Sequence, residues 1–243
     1  MIFDILTLFP ELITQATNHS ILKRAIESDI VEINAINPRD FANNKHRKVD
    51  DTPYGGGAGM VLSCQPFLDC LASINTKDNY EKIILTPQGE PFSQQMAKEL
   101  SQKEQLIILC GHYEGFDERI RILSGAREVS IGDFVLTGGE YPALCVLDSI
   151  TRLLPNALGD AESADYDSHS DGLLEYPHYT KPREYGGLKV PEVLLSGNHK
   201  EINNWRRLQQ FVRTKQKRSD LFDEFKKTLL SKEDKKIIQN NNL

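Results

Sequence analysis

No stretch of the 243 residues is apolar for long enough to span a membrane. The opening Met1-Ile2-Phe3-Asp4-Ile5-Leu6-Thr7-Leu8-Phe9-Pro10 has no basic segment ahead of its apolar residues and carries Asp4. Neither a membrane helix nor a secretory leader is expected, and the protein is expected in the cytoplasm. Cysteine is sparse: Cys64, Cys70, Cys110 and Cys145 never form C-x-x-C and lie in or beside apolar sequence. That argues against a disulfide framework and against zinc, and leaves the thiols as small buried hydrophobes. G-x-x-x-x-G-K-[ST] is missing, as is G-x-G-x-x-G between a strand and a helix. A phosphate cradle of either kind is therefore not expected.

What is present is a set of apolar runs that each end in a glycine-bearing loop: Ile83 to Gly89, Leu106 to Gly115 and Val129 to Glu140. β-Branched runs followed by glycine turns and amphipathic segments read as strands of a parallel sheet, whose C-terminal loops face one ligand crevice. The glycines let backbone N–H and C=O groups approach a ligand closely. Together with Glu114, Asp133 and Glu140 they offer acceptors, which suit a ligand with positive charge and amino donors. The plainer alternative is that the glycines serve only tight turns.

Strand and helix patterns alternate from Ile2 to Leu154: a strand near Ile2–Phe9, a helix from Pro10, a strand Val31–Ile36, a helix Ser93–Leu100 and a helix Tyr141–Leu154. Between them Asn37 to Met60 forms a long polar loop with Tyr54 and a glycine cluster. From Pro155 to about Leu174 the residues become small and acidic, which reads as a flexible linker with nothing to anchor a core. The expected division is an α/β domain over 1–159, a linker over 160–174 and a small helical domain over 175–243. The net charge is −6, yet His199 to Arg218 holds Lys200, Arg206, Arg207, Arg213, Lys215, Lys217 and Arg218 against Glu201 alone. That is either a phosphate-binding face or a solvated helix face.

Leu8-Phe9-Pro10, Asn37-Pro38-Arg39-Asp40-Phe41, Pro53-Tyr54-Gly55-Gly56-Gly57-Ala58-Gly59-Met60, Cys110-Gly111-His112-Tyr113-Glu114-Gly115, Ser130-Ile131-Gly132-Asp133, Leu136-Thr137-Gly138-Gly139-Glu140 and Pro177-His178-Tyr179-Thr180 together resemble the bacterial tRNA (guanine-N1)-methyltransferase family, in order from about Ile5 to about Arg213. The resemblance implies an S-adenosylmethionine donor and a guanosine acceptor at position 37, 3′ of the tRNA anticodon. It also implies a trefoil-knotted SPOUT-type α/β domain, a helical tRNA-binding C-terminal domain and a homodimer with shared active sites. By family position the donor meets Leu85, Thr86 and Pro87, then Gly111 and Glu114, then Ile131, Gly132, Asp133, Phe134, Val135 and Leu136 with Gly138 and Gly139.

Guanine N1 is protonated at neutral pH, so methylation there needs a base for the proton and a cation for charge developing on O6. The family's base maps onto Asp167, directly before Ser168, with Asp165 as a chemical rival, and its cation maps onto Arg152. Asp50 is a weaker candidate for contacting the target base. His112 stands where some relatives have arginine, and Tyr113 packs in the loop or borders the methionine moiety. The divalent-ion requirement of many relatives has no ligand cluster in this sequence. The competing readings are a non-enzymatic RNA-binding factor and a methyltransferase acting on ribosomal RNA or a ribose.

Overall fold

The structure, a computed structural model, describes residues 1–159, 167–228 and 230–243. The chain divides into two compact units, Met1–Asp160 and Ala161–Leu243. The first runs β1 (Ile2–Leu6), α1 (Pro10–Thr17), α2 (Ser20–Glu27), β2 (Glu32–Ile36), β3 (Asp50–Asp51), β4 (Val61–Leu62), α3 (Cys64–Ala72), β5 (Tyr80–Pro91), α4 (Gln94–Leu100), β6 (Gln105–Cys110), α5 (Glu118–Ser124), β7 (Arg127–Ser130) and α6 (Glu140–Thr151).

Five of these strands form one sheet in the order β2-β1-β6-β5-β7, parallel at every pairing. Continuous apolar runs build such a sheet because both of its faces are covered. Ile83, Leu85, Ile108 and Cys110 belong to a core shared with α1, α2, α4 and α6, whereas the alternating Ile84, Ile107 and Leu109 pack with Phe67 and Cys70 of α3 and Ile120 of α5. Helices thus lie on both sides, and the strands end together at one edge. β3 and β4 form a separate antiparallel pair.

The sequence reading has the run from Ile83 ending in a loop by Gly89, but β5 continues to Pro91. Val129 pairs with both Leu85 and Glu90, so the intervening residues are extruded as a bulge within the strand. Gly89 permits it, since a Cβ there would lie 2.5 Å from the Glu128 carbonyl carbon. The cysteine expectation holds for Cys70 and Cys110, which are buried, and fails for Cys145, which is exposed on α6, and for half-buried Cys64.

The second unit contains β8 (Glu184–Tyr185), β9 (Leu188–Lys189), α7 (His199–Lys217), α8 (Ser219–Lys227) and α9 (Lys232–Asn240). Its core is Leu173, Phe211, Phe222 and Phe225. Leu173 is fully buried, against the expectation that the acidic stretch anchors nothing. Neighbouring backbone is also engaged: the Leu174 N–H donates to Thr214 Oγ1 at 2.9 Å, and the Glu175 N–H to Ser168 Oγ at 3.1 Å. A single leucine in a polar stretch has no periodicity to reveal it. Ser231 caps α9, accepting from the Asp234 N–H at 2.9 Å. The spacing of Leu221, Phe222, Phe225, Leu229 and Leu230 puts them on one helical face of the tail; of these, Leu229 lies outside the described residues.

Candidate functional site

The C-terminal ends of β5, β6 and β7 surround a cavity of about 270 Å³. The β5 bulge brings Leu85, Thr86 and Pro87 to its wall, and the loop after β6 brings Gly111 and Glu114. The loop after β7 contributes Ile131, Gly132, Phe134, Val135 and Leu136, then Gly138 and Gly139. Asp133 is the one expected donor-site residue that does not line it: it is exposed, at the apex of a tight turn in which the Phe134 N–H donates to the Gly132 carbonyl at 2.9 Å.

The close approach of the third loop to β6 depends on glycine. The Gly139 N–H donates to the Gly111 carbonyl at 2.8 Å, and a Cβ at Gly139 would lie 2.7 Å from Cys110 Cα. At Gly138 a Cβ would run into the Glu140 carboxylate and come within 2.8 Å of His112 Nδ1. Glu140 is only 4% exposed, in the first turn of α6, where a negative charge is favoured. It accepts from Thr7 Oγ1 at 2.7 Å, and that oxygen in turn accepts from the Phe9 N–H at 2.9 Å. Burial, and secondarily the charge of Glu140, pushes the Cys110 thiol well above its ordinary pKa, so it is no nucleophile at neutral pH.

Other wall residues escaped the sequence reading or were left open by it. His112 lines the cavity with edge contacts to Phe9 and Tyr113, and its buried Nδ1 has no hydrogen-bond partner among the described residues. A buried polar atom left unpaired in a cavity wall suits a polar ligand atom. Arg121, from α5, also lines the cavity; its side chain is 11% exposed, ion-paired with Glu128 and with Glu118 at 3.4 Å. Glu118 is a local partner of Arg121 on α5, but Glu128 reaches it from β7, and nothing local in the sequence places Arg121 in the cavity wall. Glu114 is fixed by the glycine cluster: its N–H donates to the Met60 carbonyl at 3.0 Å, and a Cβ at Gly59 would lie 2.5 Å from Glu114 Cγ.

Comparison with known proteins decides the kinship. A family model described as tRNA (Guanine-1)-methyltransferase TrmD matches residues 1–224. The chain belongs to this family. It is 53% identical over 241 residues to the tRNA (guanine-N(1)-)-methyltransferase of Desulforamulus reducens, covering 98% of this chain and 94% of that protein. The protein of the same description from Clostridioides difficile is 56% identical over 225 residues, covering 91% and 97% of the two chains. That of Staphylococcus haemolyticus is 51% identical over 239 residues, covering 98% and 96%.

The two residues carried over for catalysis fall in different units. Arg152 is the C-cap of α6, with its N–H donating to the Asp148 carbonyl at 3.2 Å. Asp167 is half-buried, and its carbonyl accepts from the Ser170 N–H at 3.1 Å. Asp165 lies outside the described residues. Asp50 is half-buried in β3, opposite Leu62.

The basic run on α7 is not one solvated face. Arg207 donates to both Asp234 carboxylate oxygens, at 2.9 and 3.1 Å, and to Asp171 at 2.5 Å. It also lies over the Phe211 and Phe225 rings. Burial opposes its charge, but these carboxylates outweigh burial and raise its pKa. Arg206 stacks on Tyr176, and Arg218 pairs with Asp220 at 2.6 Å. Lys200, Lys215, Lys217 and the ion-paired Arg218 are the exposed cations of the run. Among the described residues no group of three or more His, Cys, Asp or Glu side chains is arranged to hold a metal ion, so no metal site is assigned. No helix among them is long and apolar enough to cross a membrane.

Proposed function

We propose that the chain transfers a methyl group from S-adenosylmethionine to N1 of guanosine 37 in tRNA, with Asp167 as general base and Arg152 stabilising the charge that moves onto O6. Guanine-N1 methylation of tRNA is the activity that the family and its relatives carry in their descriptions. The observation that carries the finer reading is the glycine-walled cavity at the ends of β5, β6 and β7. Its chemistry fits the donor. Glu114 sets a carboxylate against a ligand with a sulfonium and an ammonium, Gly138 keeps the wall free of a side chain where an adenine would lie, and His112 Nδ1 offers an unfilled polar contact.

When bound, the donor supplies an electrophilic methyl group. The chain's own task is the acceptor: Asp167 takes the N1 proton, and Arg152 holds the electron density that resonance shifts to O6. Those roles rest on family position. Two features support the assembly implied by the same kinship. Phe134, Val135, Leu136 and Tyr141 are 52%, 82%, 40% and 58% exposed, an apolar run suited to a second copy of the chain. The backbone leaves β7, passes β5 and rejoins the end of β6 at Gly111, a path in keeping with a trefoil knot.

The test is methyl transfer to purified tRNA, followed by nucleoside mass spectrometry and mapping of the modified position. Formation of 1-methylguanosine at position 37 is expected. Methylation of a ribose, or of another base, overturns the reading. Calorimetry with S-adenosylmethionine alone separates the enzyme from a plain RNA-binding factor.

A further inference from the structure

Lys45, His46, Arg47 and Lys48 form an unbroken basic run in the first unit, and every member is exposed. The turn that carries them is pinned. Asn44 Oδ1 accepts from the Lys48 N–H and Asn44 Nδ2 donates to the Lys48 carbonyl, both at 2.8 Å. Arg47 pairs with Asp40 at 3.3 Å with both side chains exposed, a weak pair that leaves the guanidinium available to an anion. The next residue, Val49, is fully buried, so the basic turn is anchored in the core at its downstream end.

Beyond β3 the chain reaches Tyr54, which is 101% exposed, so its ring contributes no burial to folding. Gly55 and Gly56 follow with positive φ and with nothing within 4 Å of where a Cβ would stand. Cations a few residues along the chain from an aromatic ring held in open solvent, with Asp50 and Asp51 drawn into β3 between them, suit a single-stranded nucleic acid: cations against phosphates, a ring face against a base. Lys48 and Tyr54 are also close in the chain, within ~20 Å even if fully extended.

The return strand ties this display to the cavity. The Glu114 N–H donates to the Met60 carbonyl at 3.0 Å, the Leu62 N–H to the Gly115 carbonyl at 2.9 Å, and the Asp117 N–H to the Leu62 carbonyl at 2.9 Å. Through β3, where Asp50 stands opposite Leu62, and through Met60, the segment is tethered to the loop that carries Glu114. We propose that residues 45–54 are an RNA handhold of the first unit, with Lys45, Arg47 and Lys48 on phosphates and Tyr54 stacked on an unpaired base next to the nucleotide being methylated. This rests on the tRNA substrate proposed above.

The experiment uses the full chain, unmodified tRNA transcript and S-adenosylmethionine, with Tyr54→Ala, Tyr54→Phe and the triple Lys45→Gln/Arg47→Gln/Lys48→Gln. Tyr54→Ala is expected to lower kcat/KM for tRNA by roughly 10- to 100-fold, the range for losing one base stack, and Tyr54→Phe to retain it. The triple variant is expected to flatten the log–log salt dependence of tRNA binding by up to about 2, at ~0.7 per single-strand phosphate contact. Donor affinity by calorimetry and the thermal midpoint should stay at the unaltered values.

Tyr54→Phe as damaging as Tyr54→Ala, Tyr54→Ala indistinguishable from the unaltered chain, or an unchanged salt slope each overturns the handhold. So does dissociation of a dimer in Tyr54→Ala by sedimentation, which would make the surface a contact between copies. Should the unaltered chain fail to methylate tRNA, it is the proposed activity that fails, a result visible before any variant is made.

Discussion

Gly139 has backbone, not side chain, as its nearest neighbours, with Cys110 Cα at 2.7 Å and Gly111 N at 2.8 Å from a would-be Cβ. Nothing there can rotate away. Gly139→Ala should therefore push the third loop off the end of β6, weakening donor binding by calorimetry and lowering the thermal midpoint together. Asp167→Asn is a different kind of change, because the role proposed for Asp167 is at the acceptor. Single-turnover methyl transfer should fall by ~10²–10⁴, as for loss of a general base, while donor affinity is retained. If Asp165→Asn abolishes transfer and Asp167→Asn does not, the register carried over from the family is wrong by two residues.

Helix α5 starts at a cap that also titrates. Asp117 accepts from the Arg119 N–H at 2.9 Å, and its carboxylate takes the Arg119 guanidinium at 2.9 and 2.7 Å. The Arg119 side chain, chiefly, holds the Asp117 pKa well below its ordinary value of 3.8. A depressed folded-state pKa contributes stability above the unfolded value and loses it as pH falls through the folded one. Asp117→Ala should thus cost about 1 kcal/mol near neutral pH, with the gap to the unaltered chain closing as the acid limb is descended in denaturant titrations.

On α7 the prediction follows from the half-buried Arg207. Its guanidinium joins Asp171, Asp234 and two phenylalanine rings, so Arg207→Ala should lower the unfolding midpoint of the second unit. Replacing exposed Lys215 and Lys217 by Gln should leave that midpoint in place and flatten the salt dependence of tRNA binding. Were Arg207→Ala to unfold at the unaltered midpoint, its contacts would be idle.

For the whole molecule, the proposed shared site makes a complementation test decisive. Gly138→Val drives side-chain atoms into Glu140 and His112 and should abolish donor binding, while Asp167→Ala removes the base. Each homodimer should be inactive. A mixed dimer pairs the intact loops of one chain with the intact aspartate of the other, so isolated heterodimers should recover up to one working site. Heterodimers with verified exchange that stay inactive would mean that Asp167 acts within its own chain.

The amino-acid order alone determined the parallel strands, because runs such as Leu106–Cys110 are buried on both faces and need no partner to declare themselves. It also determined the glycine loops and, through their motifs, the family. Tertiary structure alone decided what depends on distant partners. The order β2-β1-β6-β5-β7, the bulge that carries Thr86 and Pro87, and the Thr7–Glu140 bond across 133 positions have no local period. The same holds for Arg207, whose charge the sequence leaves between a phosphate-binding face and a solvated one until Asp171 and Asp234 close on it, and for Leu173, a core residue in acidic surroundings. Periodicity records which side of an element faces inward. Which element waits on the other side is set by the path of the chain, and that path decides whether a charge is free for a substrate or held by the fold.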